Sequence, residues 1–292
     1  MKKALLTLYA TAYLHPGAGS ATDVIDLPIQ REVHNGLPVI AASSLKGALR
    51  QKAGESLERG EVEALFGPDT LNANKHAGAI ALGEAKLLAI PIRSLKNVFQ
   101  WASSPLVFGR LRRDLARMGA NLPQIPAPEE GQAIAPPGSG AGALVLEELD
   151  FEARESEELA GALREIKARL LPTGAGEYLL DKFTRDFALV GDDELRHLCR
   201  VGTQVSARVE LDENKKSNNL WHEETLPPET IFFAVALAQS SRDGTAMSED
   251  EVMRRFEEGV IQASDGLVQI GGNETVGQGW CCARLSDGEA RR

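Results

Sequence analysis

Cysteine is scarce in this sequence. The 292 residues include three, Cys199, Cys281 and Cys282, two of them adjacent, with no Cys-x-x-Cys pair. An odd count without paired spacing argues against a disulfide framework and against a zinc site built on cysteine pairs. It fits a reducing, cytoplasmic compartment. Long apolar runs are also missing. Nothing reaches the roughly eighteen residues a membrane-crossing helix needs, so no membrane partner is expected. The short apolar run after Lys2 and Lys3 mimics a signal peptide, but Thr7, Tyr9 and Thr11 interrupt it with a period of two. That alternation reads as a first, half-buried strand over residues 3–14. No Gly-Lys-Ser/Thr phosphate loop follows the glycine-rich stretch Gly271 to Gly279, and a strand rather than a helix comes after it. A small-molecule α/β enzyme therefore has no cofactor motif to rest on.

The formal net charge is −10, which taken alone argues against a nucleic-acid partner. Its distribution changes that reading. Residues 119–160 carry nine acidic side chains against one basic, whereas residues 91–118 carry six basic against Asp114 alone. The first fifty residues carry five basic and three acidic. The acidity is concentrated, and basic patches are left over for an anionic ligand.

Along the chain, His15-Pro16-Gly17-Ala18-Gly19-Ser20 ends the first strand in a loop. A helix is expected from Ser43 or Ser44, either of which can cap it, with Leu45, Ala48, Leu49 and Ala53 inward. Residues 91–118 read as two helical pieces, the second with Pro105 in its first turn. Residues 121–143 are rich in Pro, Gly and Ala and read as a long loop. Such a loop is unusual inside one core, so residues 91–190 are taken as an inserted helical lobe. Within it a helix over 155–170 stops before Pro172. A short strand at Phe187 to Val190 follows, then a helix capped by Asp192. Residues 203–222 form a hairpin with a polar tip. A strand over Ile231 to Leu237, a helix capped by Ser248 and Glu251, and strands around Gly266 to Ile270 and Trp280 to Leu285 complete the chain. This order predicts an α+β fold with a ferredoxin-like, RRM-like core.

Several constellations carry possible chemistry. At the start of the helix near Ser43, two hydroxyls, unsatisfied amides, Lys46 and Arg50 together make a phosphate cradle; the alternative is an ordinary capped helix. Gly271, Gly272 and Asn273 lie in a stretch with four glycines in nine residues, where backbone can approach a ligand, here RNA, or simply turn. His15 and Asp26 are suitable groups for cleaving RNA through its own 2′-OH, one removing and one supplying a proton. The bland reading is a packed histidine and an Asx turn at Asp26-Leu27-Pro28. Asp23 is a further candidate. Arg110, Arg113 and Arg117 share one side of a helix and either track a phosphate backbone or form a solvated face. Glu223 and Glu224 read as surface carboxylates or as aids to a metal or to proton transfer.

Read in order, the motifs form a series. His15-Pro16-Gly17-Ala18-Gly19 is followed by Asp26-Leu27-Pro28-Ile29-Gln30-Arg31-Glu32 and Ser43-Ser44-Leu45-Lys46-Gly47-Ala48-Leu49-Arg50. Pro91-Ile92-Arg93-Ser94-Leu95, Trp101 to Val107, Glu224-Thr225-Leu226-Pro227-Pro228-Glu229-Thr230 and Gln269 to Thr275 come later. This series resembles the repeated backbone subunit of the type III-B CRISPR (Cmr) effector complex, in the RAMP superfamily. The resemblance spans nearly the whole chain, as a single RAMP domain over 1–292. Ala41-Ala42, where the family often has Pro-Gly, and Asn97, often glycine, are mild departures. The resemblance implies an RRM-like palm, the inserted lobe, and a β-hairpin thumb. It implies copies stacked along a guide CRISPR RNA beside other subunits, and a complementary target RNA cut at regular intervals with a divalent ion, magnesium or manganese. It places Asp26 and His15 at the cut, and Ser43, Ser44, Lys46 and Arg50 on guide phosphates. A pure RNA-binding scaffold and the equivalent type III-A subunit are the competing expectations.

Overall fold

Strand β1 (Lys2–Ala10) lies inside the sheet, between the strands that follow and close the chain. In the computed structural model, which describes residues 1–21, 24–72, 74–139 and 142–287, it is buried on both faces from Ala4 to Ala10. Asp23 lies outside the described residues. The strand is thus not half-buried, and it ends before Thr11. The second face is covered from far away in sequence. Gly174 approaches so closely that a Cβ there would stand 3.1 Å from the Cys282 Sγ, and Arg284 donates to the Leu171 carbonyl at 2.8 Å. Tyr9, on that covered strand, gives its hydroxyl to the Glu229 carboxylate.

Next come β2 (Val39–Ile40), α1 (Ala42–Ser56), α2 (Arg59–Phe66), β3 (Ile80–Leu82) and β4 (Ala85–Arg93). The inserted region then holds β5 (Phe99–Ser103), α3 (Pro105–Ala116), β6 (Gln132–Ala135), β7 (Gly142–Leu146) and β8 (Leu149–Glu155). It continues with α4 (Glu157–Arg169), α5 (Glu177–Arg185), β9 (Phe187–Leu189) and α6 (Asp192–Val201). A free-standing hairpin follows, β10 (Gln204–Leu211) and β11 (Ser217–Thr225). The chain closes with β12 (Ile231–Ala238), α7 (Glu249–Phe256), β13 (Leu267–Gln269) and β14 (Trp280–Ser286).

The palm is the split βαβ arrangement expected of an RRM-like core. β12 lies between β1 and β4, β1 lies between β12 and β14, and each of these neighbours is antiparallel. Helix α1 turns Leu45, Leu49 and Ala53 into the core, each fully buried. A leucine so placed contributes roughly 1.5–3 kcal/mol relative to an exposed one.

Three expectations are corrected. Residues 91–103 form a strand hairpin, β4 with β5, rather than a helical piece; only the second piece, with Pro105 at its first position, is a helix. The stretch 121–143 contains β6, which pairs with β8 and β9. The inserted region therefore extends the palm sheet through β5, β9, β6, β8 and β7, with helices packed on it, and is not purely helical. Helix caps also moved. Ala41 precedes α1 with no side-chain cap, so Ser43 and Ser44 sit exposed inside the first turn. Asp192 is the first residue of α6, and its carboxylate instead accepts from Leu106 N at 2.9 Å, in the first turn of α3. Ser248 caps α7 as expected, and Ser156, which the sequence did not single out, caps α4.

Candidate functional site

The outer edge of β11 gathers the residues of the site. Asp26 accepts the His222 backbone N–H at 2.7 Å, and Leu27 donates to the His222 carbonyl at 3.0 Å. Glu224 N donates to the Leu27 carbonyl at 3.0 Å, and the Glu224 carbonyl takes His15 Nδ1 at 2.7 Å. Leu14 and Leu226 then exchange two bonds, continuing the edge. Asp26 and His15 are thus anchored on one strand edge two residues apart, roughly 7 Å by ordinary strand rise.

The contact to a carbonyl settles the imidazole's tautomer, since a carbonyl only accepts. Nδ1 carries a proton, and in the neutral ring Nε2 is the nitrogen left with a lone pair. Gly17 lies over that nitrogen: a Cβ there would stand 2.9 Å from Nε2. Asp26 is about half exposed, with the His222 ring nitrogen 3.5 Å from its carboxylate. The His222 backbone hydrogen bond, opposed by slight desolvation and helped by the ring, holds the carboxyl below the usual carboxylate range. Asp26 is therefore an ionised acceptor or ligand, and not a proton donor, at neutral pH.

Glu223 and Glu224 are not surface carboxylates; both are 4% exposed. Glu224 accepts from Arg31 at 2.5 Å, Ile29 N at 3.0 Å and Thr203 Oγ1 at 2.9 Å. It ties the loop carrying Asp26 to the base of the hairpin. Glu223 faces the other way along the strand, pairs with Arg208 at 3.0 Å, accepts from the Asn273 amide, and lies 3.8 Å from His15 Nδ1. Sequence reasoning names both acids but not their burial, and it gives no role to Arg31, Arg208 or His222. Their burial depends on partners about 190 residues away or across the hairpin. The adjacent Leu226-Pro227-Pro228, apolar and rigid, was the one local hint of a covered strand end.

The glycine-rich loop supports His15. Gly272 N donates to the His15 carbonyl at 3.1 Å. Gly271 has φ +83, and a Cβ there would stand 2.4 Å from the same carbonyl oxygen. Asn273, also left-handed at φ 65, grips Glu223. Gly271→Ala combines a left-handed strain with a clash against backbone. It should destabilise the fold by roughly 1–3 kcal/mol and displace His15. Urea unfolding of the variant beside wild type measures the first effect.

The remaining candidates divide. Ser43 and Ser44 are exposed on the first turn of α1, beside its unpaired amides. Lys46 is half-buried and donates to the Ile80 carbonyl at 3.0 Å, while Arg50 donates to the Pro68 carbonyl at 3.1 Å. Burial, and then the neighbouring Arg50, lower the Lys46 pKa. Arg110 does not share a free face with Arg113. It is bound to Glu32 at 2.6 Å, whereas Arg113 and Arg117 surround the buried Asp114 together with Lys86. Cys199 is no nucleophile: burial pushes its thiol up to about 12, with Arg31 opposing.

For a divalent ion, the donor set offers Asp26 with its neighbour His222. No three His, Cys, Asp or Glu side chains converge as a metal cage among the described residues. One exposed carboxylate fits the manner in which magnesium binds, through one or two carboxylates, waters and the phosphates of its ligand. No helix among the described residues is long and apolar enough to cross a membrane.

Residues 7–282 match the family described as the RAMP superfamily. The chain is 34% identical to the CRISPR system Cmr endoribonuclease Cmr4 of Pyrococcus furiosus, over 98% of this chain and 97% of that protein. It is 24% identical to the CRISPR system CMR subunit Cmr4 of Saccharolobus solfataricus, over 92% of each. Among solved structures, oligomeric Cmr4 from Pyrococcus furiosus superposes with a TM-score of 0.74 at 31% identity, covering 98% of both chains. A chain of the Type III-B Cmr-beta complex bound to cognate target RNA shares the fold, with a TM-score of 0.75 at 21% identity, over 98% of this chain and 97% of that one.

Proposed function

The chain belongs to the RAMP superfamily, and from that membership we infer that it is a backbone subunit of a type III-B CRISPR effector complex. Copies of the chain stack along a guide RNA beside the other subunits, and each copy cuts the complementary target RNA. The observation that carries this reading is the shared edge of β11, which anchors Asp26 at His222 and a tautomer-fixed His15 at Glu224, two residues along the same strand.

The residues take separate jobs. Ser43, Ser44 and the first-turn amides of α1 hold guide phosphates, with the half-buried Lys46 and Arg50 adding positive charge behind them. The β10–β11 hairpin stands clear of the main sheet, with Val205, Val209, Leu211 and Leu220 exposed. It displaces one nucleotide of the guide–target duplex per copy, which sets the interval between cuts.

At the cut, His15 Nε2 accepts the proton of the target's 2′-OH. The freed 2′-oxygen attacks the adjacent phosphorus, the bond from phosphorus to the 5′-oxygen breaks, and that oxygen takes up a proton from water. The products are a 2′,3′-cyclic phosphate and a 5′-hydroxyl. Asp26, kept ionised by the His222 backbone, would hold a magnesium or manganese ion with the phosphate oxygens of the RNA. When bound, the ion polarises the scissile phosphate. Glu224 positions both partners, through its carbonyl to His15 and its carboxylate to the Asp26 loop.

The complex assembled with guide and end-labelled target tests this. A ladder of evenly spaced cuts is expected, lost with a chelator and restored by magnesium or manganese. Binding of the target without any ladder contradicts the reading. A ladder unchanged by chelation removes the ion and returns Asp26 to a role without metal.

A further inference from the structure

Beside the Asp26 loop lies an open groove of about 630 Å³ that none of the roles above uses. It is lined by Ile25 and Arg31, by Glu224, and by His197, Arg200 and Val201 of α6. These three α6 residues are spaced three and four apart, so they share one helix face. Arg31 is already committed to Glu224, and His197 to Glu148 at 2.5 Å. Arg200 differs. It is exposed, and its guanidinium has no ion-pair or hydrogen-bond partner among the described residues. In a chain of net charge −10, most arginines are paired: Arg110, Arg113, Arg117, Arg185 and Arg208 all hold carboxylates. An unpaired guanidinium facing a groove whose lip is the residue before Asp26 has the chemistry to take a phosphate in two parallel hydrogen bonds.

We propose that Arg200 is a positioning residue that binds a backbone phosphate of the target strand and draws that strand through the α6 groove onto Asp26 and His15. The proposal rests on the reading of the cut site given above. Arg200 touches no reacting atom. Its contribution is to strand affinity and register, and it should act on target binding and not on guide loading.

The test uses complexes assembled with guide, in which every copy carries Arg200→Ala, Arg200→Lys or Arg200→Glu. Target affinity is measured at several salt concentrations with Asp26→Asn present, so that the strand stays whole. Arg200→Ala should weaken target binding about 3- to 10-fold and lower the slope of log affinity against log salt by roughly 0.7–0.9 for each copy engaged. Arg200→Lys should restore most of the affinity, and Arg200→Glu should fall below alanine. With Asp26 intact, Arg200→Ala should raise KM while kcat at saturating target stays within about twofold. An unchanged salt slope in the alanine and glutamate complexes overturns the proposal, as does a loss confined to guide binding. Should the glutamate complex fail to assemble, the alanine and lysine complexes decide. Failure of the cut-site reading looks different: Asp26→Asn would still cut, whatever Arg200 does to affinity.

Discussion

Asp26→Asn in every copy of the chain should abolish target cutting while guide loading, assembly and target binding persist. Asparagine keeps an oxygen to accept the His222 N–H, so the loop-to-strand contact survives. What it lacks is the negative charge that this hydrogen bond preserves. Loss of one positioned acid–base or ion-holding group lowers rates by about 10²–10⁴-fold. Asp26 is half exposed and makes no buried ion pair, so the fold should be nearly unaffected. Cleavage assays and a binding measurement on the same preparation check both halves. Cutting at the wild-type rate would make the chain a scaffold whose target is cut by another subunit.

The largest loss of stability should come from Asp186→Ala. Asp186 is fully buried and accepts from Lys182 at 2.7 Å and from Asn97 at 2.9 Å. Lys182 is 4% exposed, donates also to the Asn97 carbonyl at 2.8 Å, and sits 4.5 Å over the Phe99 ring. Removing the carboxylate leaves a buried ammonium with one carbonyl and one ring. Breaking a buried pair on one side costs about 3–5 kcal/mol, which lowers the unfolding midpoint by roughly 5–8 °C in a chain of this size. The cluster also holds Asn97 and Val98 at φ 61 and 72, strained values for residues other than glycine. Replacing both partners, Lys182→Met with Asp186→Leu, should recover much of the loss. Arg185→Ala, which removes a half-exposed partner of the same carboxylate, should cost under about 1 kcal/mol. Thermal unfolding of the three variants beside wild type checks the order.

That cluster also explains why residues 91–103 were misread. A β-hairpin turn normally announces itself with glycine, and here Asn97 and Val98 take left-handed conformations with none. Their support is a carboxylate about ninety residues later, so a helical reading was locally consistent and tertiary contact overrode it. β6 was hidden similarly, since its partners β8 and β9 come later in the chain. Elements marked by local chemistry were legible: the polar tip of the hairpin, Pro105 at the start of α3, and Ser248 as a cap.

The site was legible as residue types and not as a geometry. His15 and Asp26 stood out for their chemistry, but no spacing rule said that both would dock on β11. Glu223 and Glu224 were taken for solvated acids because Arg31, Arg208, Ile29 and Asn273, which make their burial tolerable, are scattered through the sequence. The glycine-rich loop was read as an RNA contact, and its observed contact is the His15 backbone.

On the proposed mechanism, His15 and Asp26 direct the target's own 2′-oxygen onto the adjacent phosphate. A target RNA with a single 2′-deoxy nucleotide at one cut position tests it within one molecule. The predicted result is loss of that one band from the ladder, with its neighbours cut at the normal rate and ending in 2′,3′-cyclic phosphates. An undiminished band at the deoxy position would contradict it, because the strand would then be cut by an external nucleophile.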